Sequence, residues 1–125
     1  MSAKVMLIED DATMLVLLRT LLQYEGYQVA VLEDDSSLQT ILSSIHQEQP
    51  AVILMDVHLR QVNGIDLLEA VRKEPLIDST GVIMSSGSDM RQRCLEQGAD
   101  AFILKPYMPD ELIQKIKQVL SSRIK

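Results

Sequence analysis

The chain has 125 residues, 46% of them apolar and 24% charged, with a formal net charge of −6. That is the length of one domain with enough apolar side chains for a core. The acidic balance excludes nucleic-acid binding by the domain through a basic patch, and the single cysteine, Cys94, excludes an internal disulfide.

No apolar run reaches the length of a membrane span, and the opening "MSAKVMLIEDD" is unlike a signal peptide because its short apolar run ends in acids. The expectation is a protein of the reducing cytoplasm with no membrane partner.

Along the chain, short apolar runs alternate with segments of helical period. The first run is "KVMLIE" (4–9). A helix follows, with Met14, Leu15, Leu17, Leu18, Leu21 and Leu22 on one broad face and Gly26 as its stop. After "YQVAVL" (27–32), Asp34, Asp35 or Ser36 can cap a second helix marked by Leu38, Ile41, Leu42 and Ile45. "AVILMD" (51–56) precedes a third helix carrying Ile65, Leu68 and Val71. "GVIMSS" (81–86) precedes a weaker fourth, with Met90, Cys94 and Leu95, Ser88 as its cap and Gly98 as its stop. "AFILK" (101–105) precedes a fifth, with Leu112, Ile113, Ile116, Val119 and Leu120. Pro109 fits its first turn, beside Asp110 and Glu111, where the helix dipole favours acids.

Most of the runs are apolar without alternation, as in strands covered on both faces. The order βαβαβαβαβα implies a parallel sheet with helices on both sides and right-handed crossovers. Functional groups in such sheets gather past the carboxyl ends of the strands.

Those ends are informative. The first strand ends in Glu9, Asp10 and Asp11, the third in Asp56, the fourth in Ser85 and Ser86, and the fifth in Lys105 followed by Pro106. With the first strand central and the third, fourth and fifth beside it, Glu9, Asp10, Asp56, Ser86 and Lys105 converge. At about 5 Å and an effective dielectric of about 20, each pair of carboxylates costs roughly 3 kcal/mol. Lys105 offsets part of this, and a hard divalent cation such as Mg²⁺, bound through oxygen, offsets more. Such a cation and an ammonium can neutralise phosphate oxygens while a carboxylate attacks phosphorus in line. Asp56 is then an acyl-phosphate nucleophile, and Ser86 can donate to a phosphoryl oxygen.

Four features taken together, "MLIEDD", "VILMDVHLRQVNG", "VIMSSG" and "FILKP", resemble the receiver domain of bacterial response regulators, the phospho-acceptor half of two-component signalling. The resemblance runs from about Lys4 to about Leu120. It implies a flavodoxin-like, doubly wound, five-stranded parallel sheet of order 2-1-3-4-5 with five helices, a single receiver domain over residues 1–125. It also implies that Glu9, Asp10, Asp56 and the backbone carbonyl of His58 hold Mg²⁺, with Asp10 ranked ahead of Glu9 as a direct ligand. Asp56 accepts the phosphoryl group, Ser86 and Lys105 contact it, and Ser86 and Phe102 form the switch. Gly64 matches the glycine that closes the loop after the phosphorylated acid. The chain departs from the family at Arg60, where proline is frequent, and at Gly87, where alanine is frequent and where glycine leaves more room for Phe102 to move inward. By the same resemblance, His58 and Ser88 occupy variable positions that tune phosphoryl lifetime.

The implied partners are a histidine kinase or phosphotransfer protein upstream and an effector protein or domain downstream. The implied output surface is the fourth helix, fifth strand and fifth helix; a homodimer formed there on phosphorylation is left open, as is whether the chain stands alone or is cut from a longer regulator. The resemblance implies a regulatory domain, not an enzyme on an external substrate. Three alternatives stand beside this reading. A pseudo-receiver would keep the fold as an interaction module without the chemistry. A phosphohydrolase with an aspartate nucleophile would need a second acid two residues after Asp56, where this chain has His58. A flavin carrier of similar fold would need a phosphate-cradling loop where the first strand instead ends in three acids. Capping by Asp10 and Asp11, plain packing of Phe102 and Cys94, and a solvated His58 side chain are the structural readings of the same residues.

Overall fold

Each of the five apolar runs forms a strand, and each segment of helical period forms a helix. The computed structural model describes residues 3–9, 11–32 and 36–123. In chain order the elements are β1 (Lys4–Ile8), α1 (Ala12–Tyr24), β2 (Gln28–Leu32), α2 (Leu38–Glu48), β3 (Val52–Asp56), α3 (Gly64–Lys73), β4 (Gly81–Ser86), α4 (Arg91–Glu96), β5 (Ala101–Leu104) and α5 (Pro109–Arg123). All neighbouring strands are parallel, and the sheet order is β2-β1-β3-β4-β5, the order that the resemblance implies.

Alternate residues of each strand feed two cores, because successive side chains leave a strand on opposite faces. Met6, Ile8, Ile53, Met55, Val82, Met84 and Phe102 pack with Ile41 and Ile45 of α2, the apolar stripe of α3 and Cys94 of α4. Val5, Leu7, Val52, Leu54, Ile83 and Ile103 pack with Leu18 and Leu22 of α1 and Leu112, Ile116 and Val119 of α5. The three central strands are buried at every position except Lys4, which explains why their sequences do not alternate.

Local signals are met with some differences. Asp11 caps α1 by accepting from the Met14 amide at 3.1 Å. Ser37, not Asp34, Asp35 or Ser36, caps α2, its Oγ accepting from the Thr40 amide at 3.2 Å; Asp34 and Asp35 lie outside the described residues. The α4 helix has six residues and no side-chain cap, so Ser88 does not cap it. Gly26 and Gly98 follow α1 and α4 with positive φ, as stops that a residue with a Cβ would strain. Of the broad apolar face of α1, only Leu18 and Leu22 are buried, and Leu17 is exposed. No helix among the described residues is long and apolar enough to cross a membrane.

A half-buried polar clamp holds the far end of the sheet. Arg72 at the end of α3 donates to the carbonyls of Gly98 at 2.9 Å, Asp78 at 3.0 Å and Thr80 at 2.6 Å, and to the Asp100 carboxylate at 2.9 Å. Asp100 in turn accepts from the Val82 amide at 2.8 Å, tying α3 to β4 and to the turn before β5.

Candidate functional site

Strand parity decides which polar groups meet. Glu9 continues the alternation of Val5 and Leu7, Asp56 that of Val52 and Leu54, and Lys105 that of Ile103, so all three side chains emerge on the α1/α5 side of the sheet. Register then sets their level. Ile8 pairs with Met55, and Glu9 and Asp56 are the next residues in each strand direction. Lys105 follows Leu104, the partner of Ser86, and its amide donates to the Ser86 carbonyl at 2.9 Å.

The result is a bridge of charge. Lys105 Nζ donates to Glu9 Oε1 at 2.9 Å and to Asp56 Oδ2 at 2.6 Å. Glu9 is 1% exposed and Asp56 4%. Burial works against the charged ammonium, but its hydrogen bonds to Asp56 and Glu9 and their charges outweigh it and hold the Lys105 pKa well above the ordinary lysine range. Two carboxylates against one ammonium leave a negative site made of oxygen donors, which suits a hard cation and not a soft one. Among the described residues no three acid, histidine or cysteine side chains are grouped to hold a metal ion. Asp10 lies outside the described residues.

The Asp56 carboxylate is held from its other side as well. The His58 amide donates to Oδ1 at 2.9 Å, while the His58 side chain is exposed. Residues 57–63 return on themselves: the Gly64 amide donates to the Val57 carbonyl at 2.7 Å, and His58 bridges Asn63. Asn63 Oδ1 accepts from the Ile65 amide at 2.8 Å and caps α3. A Cβ at Gly64 would collide with the Asp56 carbonyl oxygen and stand 2.7 Å from Val57 Cα, so this position needs glycine for close approach. These bonds close the loop without a proline at Arg60.

Ser86 is fully buried at the end of β4, and its Oγ accepts from the Ser88 amide at 3.2 Å. Its parity is that of Met84, on the side of the sheet opposite the carboxylates. Ser85, the register partner of Asp56, is also fully buried, and among the described residues its hydroxyl has no hydrogen-bond partner. Phe102 is 1% exposed and pairs with Met84, with the Arg91 guanidinium 5.7 Å from its ring centroid. The aromatic is therefore already inside. A Cβ at Gly87 would meet nothing within 4 Å, so the room at that position faces open space rather than Phe102. Cys94 packs in the core, where burial pushes its thiol pKa up against a smaller opposing effect of Arg93.

The structure thus brings together Glu9, Asp56 and Lys105, places the His58 backbone against Asp56, and sets Ser86 at the end of β4 and Phe102 within β5 on the other side of the sheet. Sequence reading missed Tyr107. Beside the bridge opens a cavity of about 340 Å³ lined by Glu9, Asp11, Met14, Lys105, Pro106 and Tyr107. The available signal was a phenol in a segment whose spacing from Lys105 returns it to the α1/α5 core. The Arg72 clamp was missed too, since nothing local in "VRKEP" marks an arginine that bonds three carbonyls.

Comparison with known proteins agrees with this geometry. A family model, the response regulator receiver domain, matches residues 5–117. The transcriptional regulatory protein CpxR of Escherichia coli (strain K12) is 36% identical over 121 residues, which cover 94% of this chain and 49% of CpxR. The crystal structure of a putative response regulator from Chloroflexus aurantiacus aligns with a TM-score of 0.86 at 27% identity, covering 97% of this chain and 99% of that one. The receiver domain of the sensor histidine kinase PA1611 from Pseudomonas aeruginosa, solved with a magnesium ion coordinated in its active-site cleft, aligns with a TM-score of 0.83 over 97% of this chain and 99% of that one. At 19% identity that likeness is one of fold. The chain spans about half the length of the curated relatives it matches.

Proposed function

This chain belongs to the response regulator receiver domain family, and from that premise we propose that it is a single receiver unit over residues 1–125 acting as a phosphorylation-dependent switch in the cytoplasm. The observation that carries the reading is the Lys105 ammonium shared between two buried carboxylates, Glu9 and Asp56, at the strand ends. An oxygen of Asp56 attacks the phosphorus of a phosphohistidine on a kinase or phosphotransfer protein. The P–N bond breaks with its electron pair returning to the imidazole, and a P–O bond forms, leaving an acyl phosphate. Lys105 neutralises phosphoryl charge, and the Ser86 hydroxyl gives up the Ser88 amide to donate to a phosphoryl oxygen. Water later releases inorganic phosphate and restores the carboxylate, so the chain assists only its own phosphorylation and dephosphorylation.

When bound, Mg²⁺ supplies further neutralisation of the phosphoryl oxygens. Glu9, Asp10, Asp56 and the His58 carbonyl are the groups that would hold it. The oxygen-only chemistry of the site supports this assignment, and the fold neighbour PA1611 carries magnesium in its cleft.

The output of the switch is a change in population at the surface of α4, β5 and α5. Leu95, Leu104 and Met108 are exposed on or beside these elements, apolar side chains that an effector can cover. With Phe102 already buried, phosphorylation acts by moving Ser86 and α4 around a fixed ring. Curated relatives of about twice this length, among them a transcriptional regulator, support an effector domain or protein as the recipient.

Incubation with Mg²⁺ and acetyl phosphate should add the mass of one phosphoryl group to the intact chain, and Asp56→Asn should abolish the gain. A chain that gains no mass under these conditions is a pseudo-receiver.

A further inference from the structure

Tyr107 lies two residues past Lys105, and its ring packs in the α1/α5 core with only 7% of its surface exposed. Its hydroxyl is sealed from solvent and, among the described residues, has no hydrogen-bond partner. A phenylalanine would fill the same space without that penalty, which amounts to roughly tenfold in the folding equilibrium. A buried donor kept at such a cost calls for a partner that arrives in another state.

The surroundings name that partner. Tyr107 lines the cavity that also holds Glu9 and Lys105. Burial first, then the charge of Glu9, push the phenol pKa above its ordinary range; Asp56 and Asp11 add to the effect and Lys105 opposes it. The hydroxyl therefore keeps its proton at neutral pH.

Glu9 is the group whose hydrogen bonding must change on phosphorylation. It is 1% exposed, accepts from the Asp11 amide at 3.4 Å, and shares Lys105, at 2.9 Å, with Asp56, at 2.6 Å. An acylated Asp56 has lost its charge, so the ammonium is attracted to the phosphoryl oxygens in place of the Asp56 carboxylate it now shares with Glu9. We propose that Tyr107 is a positioning residue, whose hydroxyl takes over as donor to Glu9 when Lys105 turns to a phosphoryl group on Asp56. The proposal rests on Asp56 being the phospho-acceptor. The phenol then keeps Glu9 oriented toward the site, as outer partners do for ligating carboxylates.

The test uses the whole chain with Mg²⁺ and beryllofluoride, a mimic of the phosphoryl group on aspartate. Wild type carrying ¹³C at the tyrosine ring Cζ should show the Tyr107 resonance moving on addition of both, with no movement in Asp56→Asn. Tyr107→Phe should be at least as stable as wild type without ligand, yet bind beryllofluoride about tenfold more weakly. A stationary Tyr107 signal, or a Tyr107→Phe chain that binds as tightly as wild type, would overturn the proposal and leave Asp56 as acceptor intact. Failure of wild type to bind the mimic at all would remove the reading of Asp56 together with the proposal.

Discussion

Gly64→Ala should damage both the fold and the chemistry, although glycine to alanine inside a helix usually helps. Gly64 is the first residue of α3 and has no positive φ, so propensity alone predicts a gain of about 0.5–1 kcal/mol. Packing opposes it. The new Cβ would overlap the Asp56 carbonyl oxygen and stand 2.7 Å from Val57 Cα and 3.0 Å from the Val57 oxygen, where ordinary contact is 3.4–4 Å. All three are backbone atoms, and none can rotate away. Overpacking of this kind costs about 1–3 kcal/mol. The Gly64 amide bond to Val57, 2.7 Å long, lies in the path of any relief and contributes about 1 kcal/mol more. The expected net loss is about 1–3 kcal/mol in urea melts followed by far-ultraviolet circular dichroism at unchanged m. Relief must displace Asp56 itself, so phosphoryl uptake from acetyl phosphate should slow by about tenfold or more. Gly87→Ala is the control: its Cβ meets nothing within 4 Å, and the variant should match wild type within about 0.5 kcal/mol. A Gly64→Ala chain of wild-type stability and uptake would refute the close approach that seats Asp56.

Other perturbations separate the remaining parts. Lys105→Met leaves Glu9 and Asp56 facing each other without their shared ammonium. Stability at neutral pH should fall by about 1–3 kcal/mol, and Mg²⁺ should restore more of it than it adds to wild type, measured by thermal melts with and without the ion. Arg72→Ala removes donors from three carbonyls and from Asp100 and should cost about 2–4 kcal/mol by urea melt, with uptake per folded molecule unchanged. The raised pKa values of Lys105 and Tyr107 have the same sign, since each group binds its proton more tightly in the folded chain. Their stabilising contribution is complete below the unfolded values of about 10 and is lost as the pH rises through the folded ones. Urea melts in this alkaline range should show the decline, and Tyr107→Phe should remove part of it.

Much of this was legible because strand ends in a parallel sheet are forced together. Once "KVMLIE", "AVILMD" and "AFILK" are strands, parity alone sends Glu9, Asp56 and Lys105 to the same side. What escaped the reading depends on atoms brought together across the sheet or on small choices among neighbours. Ser36 and Ser37 are chemically alike, and only the entry angle of the chain makes Ser37 the cap. The Arg91 guanidinium over the Phe102 ring joins α4 to β5, a contact that no spacing rule encodes. Ser85 and Tyr107 read as unremarkable polar residues until their burial is known.

The most direct measurement locates the phosphoryl bond. The chain treated with Mg²⁺ and acetyl phosphate is reduced with borohydride, which converts an acyl phosphate to an alcohol, and then digested and sequenced by mass spectrometry. The account predicts homoserine at position 56 and nowhere else. Reduction at another acid, or recovery of unmodified Asp56 from a chain that has gained a phosphoryl group, would contradict it.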